Sequence, residues 1–172
     1  MTLKTDILAR IMATQSGAND FGNDTFTPTM EVVLQTTDGT AANKADILFM
    51  DERTVADDGD DDIDLAGALS DAFGATISAA EVVAIFVINK AKDGTANTTD
   101  LTIGGASNAF EGFLGGTSPT IGPIKPGGFA MIGAGDAAGI GAVAAGSTDE
   151  LRISNSAGAA ATYQIAIVAR SA

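Results

Sequence analysis

The chain contains no cysteine, no histidine and no tryptophan. Without cysteine there are no disulfides and no thiolate metal sites. Without histidine the commonest general base and transition-metal ligand is gone, and with it any Ser-His-Asp or Cys-His mechanism. Without tryptophan, and with one tyrosine, little remains to line a sugar cleft. Basic residues are also few: 9 Lys and Arg stand against 22 Asp and Glu, a formal charge of −13 at pH 7. That charge repels phosphate backbones and anionic membranes, so neither nucleic acid nor a membrane surface is an expected partner. The longest apolar run, VVAIFVI at 82–88, is far short of the roughly 20 residues that span a bilayer as a helix. The N-terminus MTLKTDILARIMATQSGAND interrupts its apolar residues with Asp6 and Arg10 and does not read as a secretory signal.

What is present is a chain of 172 residues, a one-domain length that can build a core without staples. Leu3, Ile7, Leu8, Ile11 and Met12 fall on one helical face, so the spacing predicts a short amphipathic helix over 2–15. A helix this short needs something to dock on. Residues 16–29, SGANDFGNDTFTPT, read as a turn-rich arm with Phe21 and Phe26 as anchors. Leu3, Ile7, Leu8, Ile11, Met12, Phe21 and Phe26 are thus the candidate assembly residues.

From residue 30 the pattern turns to β. Eight strands are expected, at 30–36, 45–51, 61–65, 81–89, 100–104, 127–133, 149–155 and 162–170. Turn signals separate them, including Asp93-Gly94 and NSAGAA at 155–160. EVVAIFVIN (81–89) is apolar on both faces and reads as a doubly covered central strand. LAGALSDAFGA (65–75) is given one or two helical turns. Many short strands with little helix between them predict an all-β, jelly-roll-like sandwich over 30–172, with residues 1–29 as helix and arm.

Three stretches and a set of isolated glutamates invite a chemical reading. DDGDDDIDLAG at 57–67 crowds Asp57, Asp58, Asp60, Asp61, Asp62 and Asp64 together. They are weak candidates for a cation, because the run does not fit the ligand spacing of a calcium loop. The expected reading is a solvated loop leading into the strand at Ile63. GAGDAA (133–138) formally fits a dinucleotide fingerprint, but GIGAVAAG follows where a helix is required and Asp136 would face the phosphates. A flexible glycine-alanine loop is expected. TIGGASNAF (102–110) offers Ser107 as a hydroxyl without a histidine to activate it; a tight turn is expected, with Phe110 and Phe113 packing back on the core. Glu31, Glu81 and Glu111 are isolated glutamates with no aromatic cleft around them, so no glycosidase pair is expected. No enzyme activity and no cofactor are expected.

The segments DIDLAG (62–67), VVAIFVI (82–88), LTIGG (101–105), PGG (126–128) and ISNSAGAAATY (153–163) together resemble small uncharacterised proteins encoded among the virion structural genes of tailed bacteriophages and prophages. The resemblance covers about residues 40–170 and rests on turn and core positions, including a closing hairpin at 153–163. It implies a virion location and a capsid decoration, cement or vertex role. The implied partner is the major capsid protein or another virion protein, and the implied state a symmetric homo-oligomer, trimer or pentamer. A tail or fibre component contacting the host surface, or a small carbohydrate- or cation-binding module, are the alternatives.

Overall fold

Apolar residues recurring at every second position along glycine-punctuated segments can bury one face only in a sheet. The computed structural model describes residues 2–110, 113–114 and 119–172, and among these it is all-β, with no helix. The strands are β1 Lys4–Met12, β2 Gln15–Asn19, β3 Gly22–Phe26, β4 Thr29–Thr37, β5 Ile47–Val55, β6 Asp60–Asp64, β7 Glu81–Ile88, β8 Leu101–Gly104, β9 Thr120–Ile124, β10 Phe129–Gly133, β11 Gly141–Ala142, β12 Glu150–Asn155 and β13 Ala161–Arg170.

Two sheets form the body of the molecule. One has the order β10-β7-β13-β5, with β11 also on β7; the other has the order β6-β12-β8-β9. All the pairings within them are antiparallel, and four of them are nested: β5 with β13, β6 with β12, β7 with β10 and β8 with β9. The facing side chains make one cluster drawn from both sheets. Phe49, Ile85, Val87, Tyr163, Ile165 and Ile167 from the first meet Ile63, Leu101, Ile103, Leu151 and Ile153 from the second. Phe110 is buried and Phe113 packs against this cluster, ring centroids 5.6 Å apart, which places both where the sequence put them.

The first 37 residues depart from expectation. No helix forms over 2–15. Residues 4–12 are strand β1, paired along its length with β4, from Lys4 opposite Thr37 to Met12 opposite Thr29. The reason lies in the spacing. Leu3, Ile7 and Ile11 are four residues apart, which suits a helical face but also keeps them on one face of a strand. The β-branched run in MEVVLQT supplies a partner strand, and the long-range ladder decides between the two periods. Residues 16–29 are ordered too: β2 pairs with β3 around a tight turn at Asp20-Phe21. The backbone bond from Ala13 N to Pro28 O (3.1 Å) carries the ladder between the two pairs. The expected strand at 30–36 exists, but it belongs to this ribbon.

Three smaller expectations also change. Residues 65–75 make turns and a bridge from Ser70 to Thr76 instead of helical turns. β12 and β13 lie in opposite sheets, so 153–163 is a crossover and not a hairpin. The loop at 133–138 is pinned by Arg170, which is 1% exposed. Arg170 donates to the carbonyls of Asp136 (2.6 Å), Ala137 (2.9 Å) and Lys44 (2.9 Å) and to Glu81 (2.9 Å). A buried guanidinium needs this full set of acceptors to offset its lost hydration.

Candidate assembly surface

The ribbon of β1–β4 has two sides, set by register. Opposed residues of an antiparallel pair share a face. One face therefore carries Thr5/Thr36, Ile7/Leu34, Ala9/Val32 and Ile11/Met30 in sequence. The other carries Asp6/Gln35, Leu8/Val33 and Arg10/Glu31. On that second face Gln35 Nε2 donates to Asp6 (2.7 Å) and Arg10 lies 3.4 Å from Glu31.

The root of the ribbon is seated on the body. Leu3, Ile7 and Leu34 pack against Ala45, Val83, Ala84 and Val168. Leu3 N donates to Asp38 Oδ1 at 3.0 Å, the Thr5 and Thr36 hydroxyls bond at 2.7 Å, and Ala45 N donates to Thr37 O at 2.9 Å. Gly135 is required there: a Cβ at that position would lie 2.6 Å from Leu34 Cδ1 and would also strike Asn43 Oδ1.

Beyond the root the ribbon is uncovered. Ile11, Val32 and Met30 are between 61% and 70% exposed, Phe26 is open on β3, and Phe21 at the tip is fully exposed. At ~3.3 Å per residue the ribbon from Lys4 to Asn19 extends about 50 Å. The candidate residues named from the sequence are thus divided by the strand pairing. Leu3 and Ile7 anchor the root and Ile11 continues their face. Leu8 and Met12 fall on the opposite face, and Phe21 and Phe26 sit in the distal hairpin.

The sheet face that receives the root runs on past it. Leu48, Met50, Ala84, Phe86, Met131 and Val168 floor an open cavity of about 390 Å³ whose other wall is the ribbon at Lys4–Leu8. A second cavity of about 550 Å³ shares Met50, Phe86 and Ala166 and extends to Ile88 and Gln164. Met50 and Phe129 are each 68% exposed, and Phe129 meets Phe86 edge-on at 6.0 Å. The doubly covered strand expected at 81–89 is therefore covered on its outer side at Val83 and Ala84, and the cover stops at Phe86. Sequence reading overlooked this groove, although the unbroken apolar runs ILFM (47–50) and VVAIFVI (82–88), which flank β13 in the same sheet, were its signal.

Only the start of the aspartate run is a loop: Asp57 and Asp58 lie in a turn. Residues 60–64 are β6, and strand alternation distributes the carboxylates over two faces. Arg53 grips Asp61 with two bonds (2.6 and 2.7 Å), and Tyr163 donates its hydroxyl to the same carboxylate at 2.7 Å. Arg152 grips Asp62 (2.7 and 2.8 Å) and lies 3.2 Å from Asp60, which accepts from Ser154 Oγ at 2.6 Å. Asp57 accepts from Gly158 N and Asp64 from Ala66 N, both at 2.7 Å. Burial pushes the Asp61 carboxyl up, but the bonds from Arg53 and Tyr163 outweigh it and hold the group below its usual range. The Arg152 bonds do the same for Asp62. Burial first, and then the hydrogen bond to Asp61 and its charge, push the Tyr163 hydroxyl well above its ordinary value. Among the described residues no three carboxylates converge as a metal site. Glu31 and Glu81 are far apart in role, one on the ribbon and one on Arg170, and Glu111 lies outside the described residues.

No protein-family model, curated protein or solved structure matches the chain.

Proposed function

We propose that this chain is a virion structural protein, a capsid decoration, cement or vertex component that works through protein–protein contacts. One observation carries the reading: a ribbon about 50 Å long leaves a tightly packed body with an apolar row on one face, and among the described residues nothing packs against that row beyond Ile7 and Leu34. Isolated two-stranded ribbons are marginal in water, so an arm of this kind is built for a partner. The nested strand pairing supports reading the body as a jelly roll, with β5-β13-β7-β10 and β6-β12-β8-β9 as its two sheets. The resemblance of residues 40–170 to virion proteins supports the location. The carboxylates of β6 are engaged by Arg53, Arg152, Tyr163 and Ser154, which favours a scaffold over a hydrolase or a cation-binding module.

Proteomics and electron cryomicroscopy of tailed-phage particles assembled with this protein test the proposal. The expected result is density for the body on the capsid shell or its vertices, at symmetric positions. Its absence from purified particles overturns the reading, and density along the tail replaces it with the tail or fibre role.

A further inference from the structure

We infer that the distal ribbon of one copy lies in the outer-sheet groove of a second copy, so that the protein assembles head to tail through exchanged arms. The inference rests on the assembly reading above and names its partner.

Continuity makes the argument. In the ribbon, Ile7/Leu34, Ala9/Val32 and Ile11/Met30 form a single apolar row. On the body, Val83, Ala84 and Val168 continue into Phe86, Met50, Met131 and Phe129 as a single apolar face. The first rung of the row already sits on the first part of the face, within one chain. The distal rungs at Ile11, Met30 and Val32 and the far part of the face at Met50 and Phe129 are all exposed within one chain, so the chain does not bring them together itself. A second copy offers the same face to the leftover rungs, with chemistry the first rung has shown to fit.

Size agrees. From Ala9 to the tip the ribbon reaches about 35–40 Å. A body of the remaining residues is about 35–40 Å across by the compact-domain relation. The arm is long enough to cross one neighbour of its own kind. The contact is heterologous, groove on arm, and closes into a ring when the rotation per copy divides a full turn. The charge of −13 per copy opposes association, so the test belongs at physiological salt, where repulsion beyond ~8 Å is screened.

The absence of native cysteine allows a direct test. Full-length Ile11→Cys and Phe86→Cys are prepared separately, mixed and oxidised with oxidised glutathione. The mixed disulfide can form only between copies, and its formation well above the homodimer of either variant is the expected result. A predominant Ile11→Cys homodimer overturns the inference in favour of arm-to-arm pairing. Light scattering provides a second measurement on Ile11→Asp/Val32→Asp, in which both changes lie on exposed ribbon positions. Self-association should weaken by about a hundredfold or more, with unchanged melting. A monomeric wild type at about 100 µM, where micromolar self-affinity would be evident, overturns the inference, as does an oligomer indifferent to the double substitution. A monomer that still decorates particles leaves the proposed function standing and removes only the exchanged arm.

Discussion

The body and the arm are made from the same antiparallel pairing, yet they differ in what lies behind each strand. β13 alternates Tyr163, Ile165 and Ile167 into a core closed by the opposite sheet, and its neighbours cover both edges. β1 and β4 have the same alternation, but past Ile7 and Leu34 none of the described residues covers it. β13 is paired along both edges and each ribbon strand along one, but open edge groups keep their hydrogen bonds to water, so pairing is the smaller difference. Apolar burial is the larger, at about 25 cal/mol per Å² removed from water. The body carries the stability and the arm holds its apolar surface in reserve for another surface.

Matched substitutions give the sharpest contrast. Ile153→Ala in the core should destabilise by about 2–5 kcal/mol, since Ile153 is fully buried and its cavity cannot collapse between two sheets. Ile11→Ala, the same change on the arm, should stay within about 0.5 kcal/mol. Urea unfolding of the two variants checks this, and similar values would abolish the distinction. Arginines make the same comparison. Arg170→Met leaves Glu81 and three carbonyls without their donor and should cost about 3 kcal/mol or more. Arg10→Met removes an exposed pair with Glu31 and should cost at most about 0.5 kcal/mol.

The two regions also differ in how legible they were. Strands β5, β6, β7, β8, β10, β12 and β13 lie within a few residues of where alternation and turn residues placed them, because each buries one face against a core. β9 was hidden by Gly122 and Pro123 inside TIGPI, which break a strand pattern. β11 has only two residues, too few for any period. The arm was misread as a helix because spacing by four satisfies both periods, and only the partner strand, 27 residues away at Ile7↔Leu34, decides. Its tip, Asp20-Phe21, has none of the usual two-residue hairpin signature. Turn signals at 93–94 and 155–160 marked chain reversals correctly but could not say that the chain changes sheets there. The aspartates looked solvated because their arginines, Arg53 and Arg152, come from other strands, the latter 90 residues on.

Acid should act on the body before the arm. Bonds from Arg53 and Tyr163 to Asp61, and from Arg152 to Asp62, hold both carboxyl groups below the usual carboxylate range in spite of burial. Groups with a lowered folded-state value contribute stability that is present above the unfolded value and lost as pH falls through the folded one. Melting temperature should therefore be flat from neutral pH down to about 5 and fall below about 4. Asp61→Asn should cost about 1–3 kcal/mol at pH 7, by leaving Arg53 and the Tyr163 hydroxyl with a weaker acceptor, and should shrink the acid-dependent loss. Asp6→Asn, against the exposed Gln35, should change neither. A melting temperature that rises on acidification would mean that carboxylate repulsion outweighs these ion pairs.

The smallest expected change in stability comes from the largest deletion. Cutting the chain at residue 29 would strand β4 without its partner, whereas the register offers a cleaner cut. Ala9 faces Val32 across the ribbon, so residues 10–31 can be replaced by Asn-Gly, a two-residue turn suited to closing antiparallel strands. Leu3, Ile7, Leu34 and the Thr5–Thr36 bond are kept, and with them every arm contact that buries apolar surface on the body. The shortened protein should fold with a melting temperature within a few degrees of the full chain, because surface changes away from the core are usually within about 0.5 kcal/mol. It should lose self-association. Calorimetry and light scattering on one sample separate the two effects. If the shortened protein unfolds at far lower temperature, the distal ribbon stabilises its own body and the division between body and arm fails. If it folds equally well and still assembles, the exposed row at Ile11, Met30 and Val32 is not the surface that joins the copies.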